Sequence, residues 1–374
     1  MSFLLVCATL VLGLSLLTVW PVPVRVNWKF ALLAGEYGHW LAALPLVLMV
    51  IAWSAAESSS GWCWLVTLLA AAALGCFLKP VIQAKQIADH LPTTLTESFG
   101  PVRLNTPPFS LRALFARPEA NLRPATHEYA PGRQLDFYPA AGAGSAPCIV
   151  VIHGGGWDGG DRTEIAHFNA WLAHAGYAVA AIDYRLAPLH PWPAQHEDAC
   201  LALRWLQANA SELGFAADKL VLCGRSAGGQ IAAAVGCTVH DPSIRGIISL
   251  YAPQDMPFAW SVSREDDALN SLQLMRQYLG GPPDESRREL YHSASAQLNV
   301  NATTPPMLLL HGTIDTLVWR RHSERMASRL QEAGRPCVFV ELPWATHAFE
   351  YNLSGPGGQL TRFAVQWFVD AVTR

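Results

Sequence analysis

The segment Leu220–Ile231 holds the residues best suited to chemistry, because it places a serine between two glycines in the sequence GRSAGG. The apolar residues 220–223 predict a short buried strand, and the small residues 229–236 are compatible with a helix. A strand, a sharp turn and a helix in this order would present the hydroxyl of Ser226 at a sheet edge, beside a helix N-terminus. A G-x-S-x-G sequence also occurs by chance in ordinary turns, so the motif requires partners elsewhere in the chain.

The chain offers such partners in the expected order. A serine hydroxyl is a weak nucleophile at neutral pH, so it needs a base and an acid that orients the base. His347 follows the last predicted strand and Asp315 follows the strand before it, which gives the order serine, aspartate, histidine. Asp255, after an earlier strand, is the alternative acid, and we favour Asp315 over it. We interpret Asp183 as a structural residue.

A glycine-rich run follows another predicted strand, in the sequence HGGGW at 153–157. Consecutive glycines allow backbone N–H groups to point inward without obstruction, which is how a loop stabilises an oxyanion. Standing alone, the run would indicate only a flexible turn. Its position at a strand end instead predicts an oxyanion loop that faces the turn at Ser226.

The elements that would position these residues alternate between strands and helices. Predicted strands cover 134–138, 148–153, 178–183, 220–223, 246–251, 307–311 and 337–342. Predicted helices cover 164–175, 195–210, 227–237, 321–333 and 359–372. Such alternation predicts an α/β fold, in which helices cover both faces of a mostly parallel sheet and ligands bind at the carboxyl ends of the strands.

Five ordered motifs in this region resemble the α/β-hydrolase superfamily, and within it the hormone-sensitive-lipase-like carboxylesterases. The motifs are HGGGW at 153–157, DYRLAP with HPWPA at 183–194, GRSAGG at 224–229, HGTID at 311–315 and THAF at 346–349. The resemblance covers about residues 126–374, which is two-thirds of the chain. It implies the α/β-hydrolase fold and hydrolysis of carboxylic esters through an acyl-enzyme.

The resemblance also implies a role for each matching residue. Ser226 would be the acylated nucleophile, His347 the general base and Asp315 the acid that orients it. The amides of Gly155, Gly156 and Ala227 would form the oxyanion hole. The supporting loop would include His153, Gly154 and Trp157, and Tyr184 and Arg185 match a motif that supports this loop.

The sequence departs from the family pattern in three places. Leu189 stands where an acidic residue is usual. HGTID at 311–315 is closer to feruloyl-esterase-like and isoprenylcysteine-methylesterase-like branches. The usual amino-terminal lid is replaced by an apolar segment, so the acyl preference of the family does not transfer.

Residues 254–303 form an insertion that predicts a lid over the strand ends. Its apolar residues are partly spaced as in an amphipathic helix, although residues of this kind more often belong to a core: Met256, Phe258, Trp260, Leu269, Leu272, Leu274, Met275 and Tyr278. Their predicted location at the strand ends favours contact with the substrate. We therefore expect small to medium hydrophobic esters.

The amino-terminal residues 1–78 predict a membrane anchor. The only charged residues before Lys79 are Arg25, Lys29, Glu36 and Glu57. Three apolar runs, 1–20, 37–54 and 61–78, are each close to the length that crosses a bilayer, so we predict about three transmembrane helices. The alternatives are a signal peptide for the first run and buried core helices for all three.

Residues 79–125 are predicted to be a proline-containing linker with a short interfacial helix at 81–90, and the catalytic domain is predicted to cover 126–374. Basic residues favour the cytoplasmic ends of spans. Two of them lie between the first and second runs, 55–60 holds none, and Lys79 and Lys85 follow the third run. This distribution predicts a multi-pass membrane protein with a cytoplasmic catalytic domain.

Composition narrows the classes of partner and cofactor that the protein is expected to bind. The 374 residues are 51% hydrophobic and 15% charged, with a net charge of -3 and no basic run, so nucleic acid is not an expected partner. The eight cysteines lack the spacing of a zinc site, and we expect neither metal nor cofactor. The expected partners are a small-molecule ester and a lipid bilayer, and the sequence does not indicate an oligomeric state.

Three functions fit the sequence in decreasing order of preference. The first is a carboxylic ester hydrolase. The second is a serine peptidase or acyltransferase that uses the same triad. The third is a binding protein that has the fold without the activity, which the complete set of Ser226, Asp315 and His347 disfavours.

Overall fold

The computed structural model describes residues 2–21, 27–55, 61–118, 121–142 and 145–374. Arg25 and most of the second predicted loop, 56–60, lie outside the described residues. The helices are α1 Ser2–Leu16, α2 Asn27–Glu36, α3 Gly38–Leu41, α4 Ala43–Ser54, α5 Gly61–Phe99, α6 Ala166–His174, α7 Ala194–Leu213, α8 Ala227–Thr238, α9 Met256–Val262, α10 Ser271–Leu279, α11 Arg288–Ala294, α12 Arg321–Glu332 and α13 Pro356–Val372. The strands are β1 Ala125–Ala130, β2 Arg133–Tyr138, β3 Ala146–Ile152, β4 Ala178–Ile182, β5 Phe215–Arg225, β6 Ile244–Leu250, β7 Met307–Gly312 and β8 Cys337–Leu342.

In the described ranges the strands form one eight-stranded sheet in the order β1-β2-β4-β3-β5-β6-β7-β8. Pairs from β4 to β8 are parallel, whereas β2 is antiparallel to both of its neighbours. The central strands are buried on both faces, as β4 is along its whole length, because helices cover the sheet on both sides. The predicted α/β architecture is therefore confirmed, and the carboxyl ends of β3, β5, β7 and β8 meet at one edge.

Each predicted strand and helix of the catalytic region is present, with differences at its ends. The largest difference is at β5, which begins at Phe215 rather than at residue 220. Strand β1 was not predicted because its sequence, ATHEYA, is polar and largely solvent-accessible at the sheet edge. The insertion 254–303 contains the three short helices α9, α10 and α11.

The predicted break after residue 78 is wrong. Helix α5 continues from Gly61 to Phe99 over 39 residues, with Pro80 and Pro92 inside it. Its second half packs on the sheet of the catalytic domain, in one core cluster that includes Leu91, Leu95, Val340 and Leu342. This burial outweighs the backbone hydrogen bonds that the two prolines remove. Residues 79–99 are therefore a docked helix rather than an irregular linker.

The prediction of about three membrane-spanning helices is also wrong. In the described part of the chain, α5 is the one helix long and apolar enough to cross a membrane. The segments Trp28–Glu36 and Gly38–Ser54 would pass the same test together, but they meet at a bend of 77°. Helix α1 is apolar but only 15 residues long, which is about 22 Å and less than the bilayer core.

The amino-terminal helices nevertheless leave a large apolar surface exposed. Ala8, Leu48, Ala52 and Val66 join α1, α4 and the first half of α5 in a small buried cluster. The outward-facing side chains of these helices include Phe3, Leu10, Val50 and Leu68, each about two-thirds or more exposed. Contiguous apolar surface of this kind is typical of an interaction site or a membrane contact.

We predict that Leu95→Ala destabilises the catalytic domain by about 2–5 kcal/mol, because Leu95 is fully buried against the sheet. Chemical unfolding of the full-length protein in detergent measures this change. The matched control is Thr93→Ala, an exposed position one half-turn away, which should shift the unfolding midpoint little. Equal midpoints for the two variants would mean that the second half of α5 is not part of the folded core.

Candidate active site

Ser226 lies at a strained turn between β5 and α8, with φ 51° and ψ -121°. The flanking glycines make this turn possible. A Cβ on Gly224 would lie 2.1 Å from the carbonyl oxygen of Gly228, and a Cβ on Gly228 would lie 2.2 Å from that of Ile152 in β3. Because Ala227 is the first residue of α8, its N–H has no partner within the helix and is free to bind a ligand.

The loops after β7 and β8 approach closely and bring Asp315 and His347 together. A Cβ on Gly312 would lie 2.1 Å from the carbonyl oxygen of Ala345, so only glycine allows this approach. His347 Nδ1 lies 2.7 Å from Asp315 Oδ2. The other carboxylate oxygen of Asp315 accepts hydrogen bonds from the N–H groups of Leu317 and Val318, at 2.8 and 3.1 Å.

These contacts leave His347 Nε2 as the ring nitrogen that can serve a reacting group. The Nδ1–H donates to Asp315, which selects the tautomer with an unprotonated Nε2. The ring of Tyr251 packs against the imidazole, with centroids 4.3 Å apart. In the described residues no hydrogen bond joins Ser226 Oγ to His347, and such bonds often form only when substrate binds.

Asp315 is held in its ionised form by its neighbours. Burial raises the pKa of this carboxyl group, but the imidazoles of His347 and His311 more than offset the burial and hold the pKa below its ordinary value. His311 Nε2 lies 3.6 Å from Asp315 Oδ2 and 2.9 Å from the carbonyl oxygen of Val318. His311 therefore braces the loop that carries the acid.

Asp255 and Asp183, the other aspartates at or after the ends of predicted strands, contact residues other than His347. Asp255 caps α9 by accepting a hydrogen bond from Phe258 N at 3.0 Å, and it forms an ion pair with Arg325 at 2.5 Å. Asp183 forms an ion pair with Arg162 at 2.7 Å. Asp315 is therefore the aspartate in contact with His347, and the other two have structural partners.

The glycine run forms a loop of left-handed backbone, with φ values of 101° at Gly155, 62° at Gly156 and 67° at Trp157. A Cβ on Gly155 would lie 2.2 Å from the carbonyl oxygen of Gly159, so this position excludes a side chain. The Tyr184 hydroxyl lies 3.1 Å from the carbonyl oxygens of both His153 and Gly154.

Two further contacts hold the start of this loop in place. The N–H of Gly154 donates to Glu164 Oε2 at 2.6 Å. The ring of His153 stacks on that of Tyr184, with centroids 4.1 Å apart. Burial lowers the pKa of His153, so this ring is neutral and serves the loop rather than the chemistry.

Ser226, Gly156, Ala227 and Asp315 border one cleft of about 830 Å³. This size is within the range of small-molecule sites. The apolar part of the lining is Pro21, Trp157, Pro253, Ala259, Val262, Leu269, Leu274, Met275, Leu317, Val318 and Trp319. The charged part is Arg264, Asp266, Asp267, Arg320 and Arg321.

Only some of the apolar side chains predicted to contact substrate from the insertion 254–303 border this cleft. Leu269, Leu274 and Met275 border it, as predicted. Phe258 instead packs against His322 and Arg325, and Trp260 packs against Tyr291. These two aromatic residues stabilise the insertion and are not part of the cleft lining.

Sequence reasoning missed two buried groups that brace the site. Arg225, next to the serine, donates from Nε to Glu350 Oε1 at 2.9 Å, and the Tyr251 hydroxyl donates to the same oxygen. Both charged side chains are almost fully buried. The available signal was a charged residue, Arg225, directly after the uncharged run 220–224.

The second missed group is Gln230, four residues after the serine. Its Oε1 accepts hydrogen bonds from Trp157 Nε1 at 2.9 Å and from the Tyr278 hydroxyl at 2.8 Å. The rings of Trp157 and Tyr278 stack with centroids 4.3 Å apart. Gln230 thereby joins the end of the glycine loop to the helix that begins beside Ser226.

Comparison with known proteins identifies similar sequences. A family model described as BD-FAE matches residues 135–330. The probable carboxylic ester hydrolase LipM of Mycobacterium tuberculosis is 29% identical over 263 residues, which are 66% of this chain and 59% of LipM. Carboxylesterase NlhH of the same species is 34% identical over 175 residues, which are 44% of this chain and 52% of NlhH. The chain thus spans a little over half the length of these curated relatives.

Solved structures of similar fold include esterases from several sources. The esterase of Pyrobaculum calidifontis has a TM-score of 0.59 and 23% identity, covering 78% of this chain and 95% of its own. The carboxylesterase EstE1 from a metagenomic library has a TM-score of 0.59 and 22% identity, covering 79% and 98%. Identity at this level shows a shared fold rather than a shared reaction.

Proposed function

The chain belongs to the BD-FAE family, and from that premise we propose that it is a serine hydrolase that cleaves carboxylic esters. The observation that carries the proposal is the contact of 2.7 Å between His347 and Asp315 at the sheet edge where Ser226 stands on its strained turn. The names of LipM and NlhH, both ester hydrolases, support the same reaction class.

In the proposed reaction, Ser226 Oγ attacks the ester carbonyl carbon and its proton passes to His347 Nε2. Asp315 stabilises the resulting imidazolium. The amides of Gly155, Gly156 and Ala227 donate hydrogen bonds to the oxyanion of the tetrahedral intermediate.

The intermediate then collapses, and the alcohol leaves with the proton from His347. Water next attacks the acyl-enzyme, with His347 again acting as base. Release of the carboxylic acid restores the hydroxyl of Ser226. The roles of His153, Gly154 and Trp157 in this proposal are to hold the oxyanion loop in shape.

We further propose that the substrates are small to medium hydrophobic esters. The apolar walls contributed by Leu269, Leu274 and Met275 of the insertion support this preference. The insertion at 254–303 would act as a lid, and residues 126–374 as the catalytic domain. No metal or cofactor has a role in this reaction.

We predict that Ser226→Ala and His347→Ala each lower kcat for aryl esters by several orders of magnitude, and that the double variant is scarcely worse, because the two residues act as one unit. Steady-state hydrolysis and labelling by a fluorophosphonate probe measure the two effects. Labelling should be absent in Ser226→Ala. Undiminished hydrolysis or labelling in this variant would place the nucleophile elsewhere.

A pair of aspartate variants tests the choice of acid. Asp315→Asn should lower kcat by about 10⁴-fold, because an amide facing Nδ1 favours the wrong histidine tautomer. Asp255→Asn is the matched control, and it should retain most activity because Asp255 pairs with Arg325 rather than with His347. Hydrolysis rates of the two variants give the comparison. A large loss in Asp255→Asn alone would show that Asp255 is the acid.

We also propose that the amino-terminal helices attach the protein to a membrane. Support comes from the length and composition of α5 and from the exposed side chains of Phe3, Leu10 and Val50. Because Lys79 and Lys85 follow the apolar part of α5, the positive-inside rule favours a cytoplasmic catalytic domain.

Reporter fusions after Arg374 test this topology. A reporter active only in the cytoplasm should give a signal, and one active only outside should give none. Membrane sedimentation of the same fusions should place the protein in the membrane fraction. A signal from the outside-only reporter would reverse the orientation, and fully soluble fusions would contradict attachment.

A further inference from the structure

Glu36 is a buried acidic residue far from the catalytic residues in sequence, and the proposed mechanism does not use it. It ends α2, at the bend of 77° between Trp28–Glu36 and Gly38–Ser54. Its side chain is only 1% exposed, although the surrounding helices are apolar. Burying a carboxylate is costly unless hydrogen-bond donors compensate it, so its partners indicate what it does.

The partners of Glu36 belong to the segment that surrounds the candidate histidine. Glu36 Oε1 accepts a hydrogen bond from Trp344 Nε1 at 3.1 Å, and Oε2 accepts one from the N–H of Gly357 at 2.8 Å. The backbone carbonyl of Glu36 accepts a third, from Asn352 Nδ2 at 2.8 Å. These three donors lie on both sides of His347 in the sequence.

The local sequence is fitted to this carboxylate. A Cβ on Gly355 would lie 2.4 Å from Glu36 Oε2, and a Cβ on Gly357 would lie 2.7 Å from Oε1. Glycine at both positions therefore makes room for the acid. Trp344 is fully buried, and it precedes His347 by three residues.

A second buried acidic side chain lies within the same segment, between the residues Trp344 and Gly357 that contact Glu36. Glu350, three residues after His347, pairs with Arg225, which is adjacent to Ser226. The histidine loop, residues 343–355, is thus held by two buried acidic side chains. Glu350 ties it to the serine turn, and Glu36 ties it to the amino-terminal helices.

We propose that Glu36 is a positioning residue for His347, so that the end of α2 forms part of the active-site framework. This inference rests on the proposed function. Glu36 does not touch the substrate and acts through Trp344 and the backbone at Gly357. Loss of its contacts lets the loop shift, and a displacement of about 1 Å at a catalytic group can lower the rate about 100-fold.

The test measures kcat per active site in the full-length protein, with active sites counted by titration with a fluorophosphonate. Glu36→Gln retains the size of the side chain but replaces one acceptor with a donor, and it should lower kcat per site about tenfold. Glu36→Ala should lower it by about 10- to 100-fold. KM should change less than twofold, because Glu36 does not border the cleft.

Trp344→Phe removes the Nε1–H donor and leaves the side chain of Glu36 in place. It should therefore lower kcat per site, as the Glu36 variants do. The effects of Glu36→Ala and Trp344→Phe should be less than additive in the double variant, because both remove the hydrogen bond from Trp344 Nε1 to Glu36 Oε1. The matched control is Thr18→Val, which removes the side-chain hydrogen bonds to the carbonyl oxygens of Ser15 and Cys76 in the amino-terminal segment, away from the histidine loop. Its kcat per site should equal that of the wild type.

Dividing the activity by the number of titrated active sites distinguishes a slower reaction in folded protein from a loss of folded protein. Fewer titrated sites with an unchanged kcat per site would overturn the inference and leave Glu36 a purely structural role. Additive effects of Glu36→Ala and Trp344→Phe would overturn the path through Trp344. If the wild type itself were neither titrated nor active on esters, the proposed function would fail instead.

Discussion

The arrangement of the candidate active site depends on one constraint, the left-handed backbone at Ser226. A non-glycine residue in such a conformation costs about 1–3 kcal/mol, so the surroundings must enforce it. Gly224 and Gly228 make the turn possible, because each packs directly against backbone. The same turn directs Arg225 into the interior, where an unpaired charge would be strongly destabilising. Glu350 supplies the compensating charge, and its position three residues after His347 couples the two loops.

Support for the site comes from widely separated parts of the chain. The contact between Trp344 and Glu36 joins residues 308 positions apart, and that between Arg225 and Glu350 joins residues 125 apart. The second half of α5 adds apolar packing against the outer strands of the sheet. The end of α2 and the second half of α5 are therefore packed against the catalytic domain.

The sequence was sufficient to predict the α/β architecture and the residues at the strand ends, because strand alternation and glycine-rich turns are local patterns. The need for glycine at positions such as Gly312 and Gly228 could not be predicted, because it arises from the close approach of a segment distant in sequence. Glu36 and Gln230 are polar residues in apolar stretches, but the partners that give them a role are distant in sequence. The third apolar run was predicted to end at residue 78 because the sequence becomes polar from Lys79, whereas burial of Leu91 and Leu95 is a tertiary effect.

Trapping an acyl-enzyme would test the central claim most directly. Rapid mixing of the full-length protein with an activated aryl acetate should release a burst of phenol equivalent to the enzyme present, as an acetyl group transfers to Ser226. Acid quenching followed by peptide mass analysis should find the added acetyl group on the peptide that contains Ser226. An acetyl group on another residue, or turnover with no acetylated Ser226 under conditions that give a burst, would contradict the account.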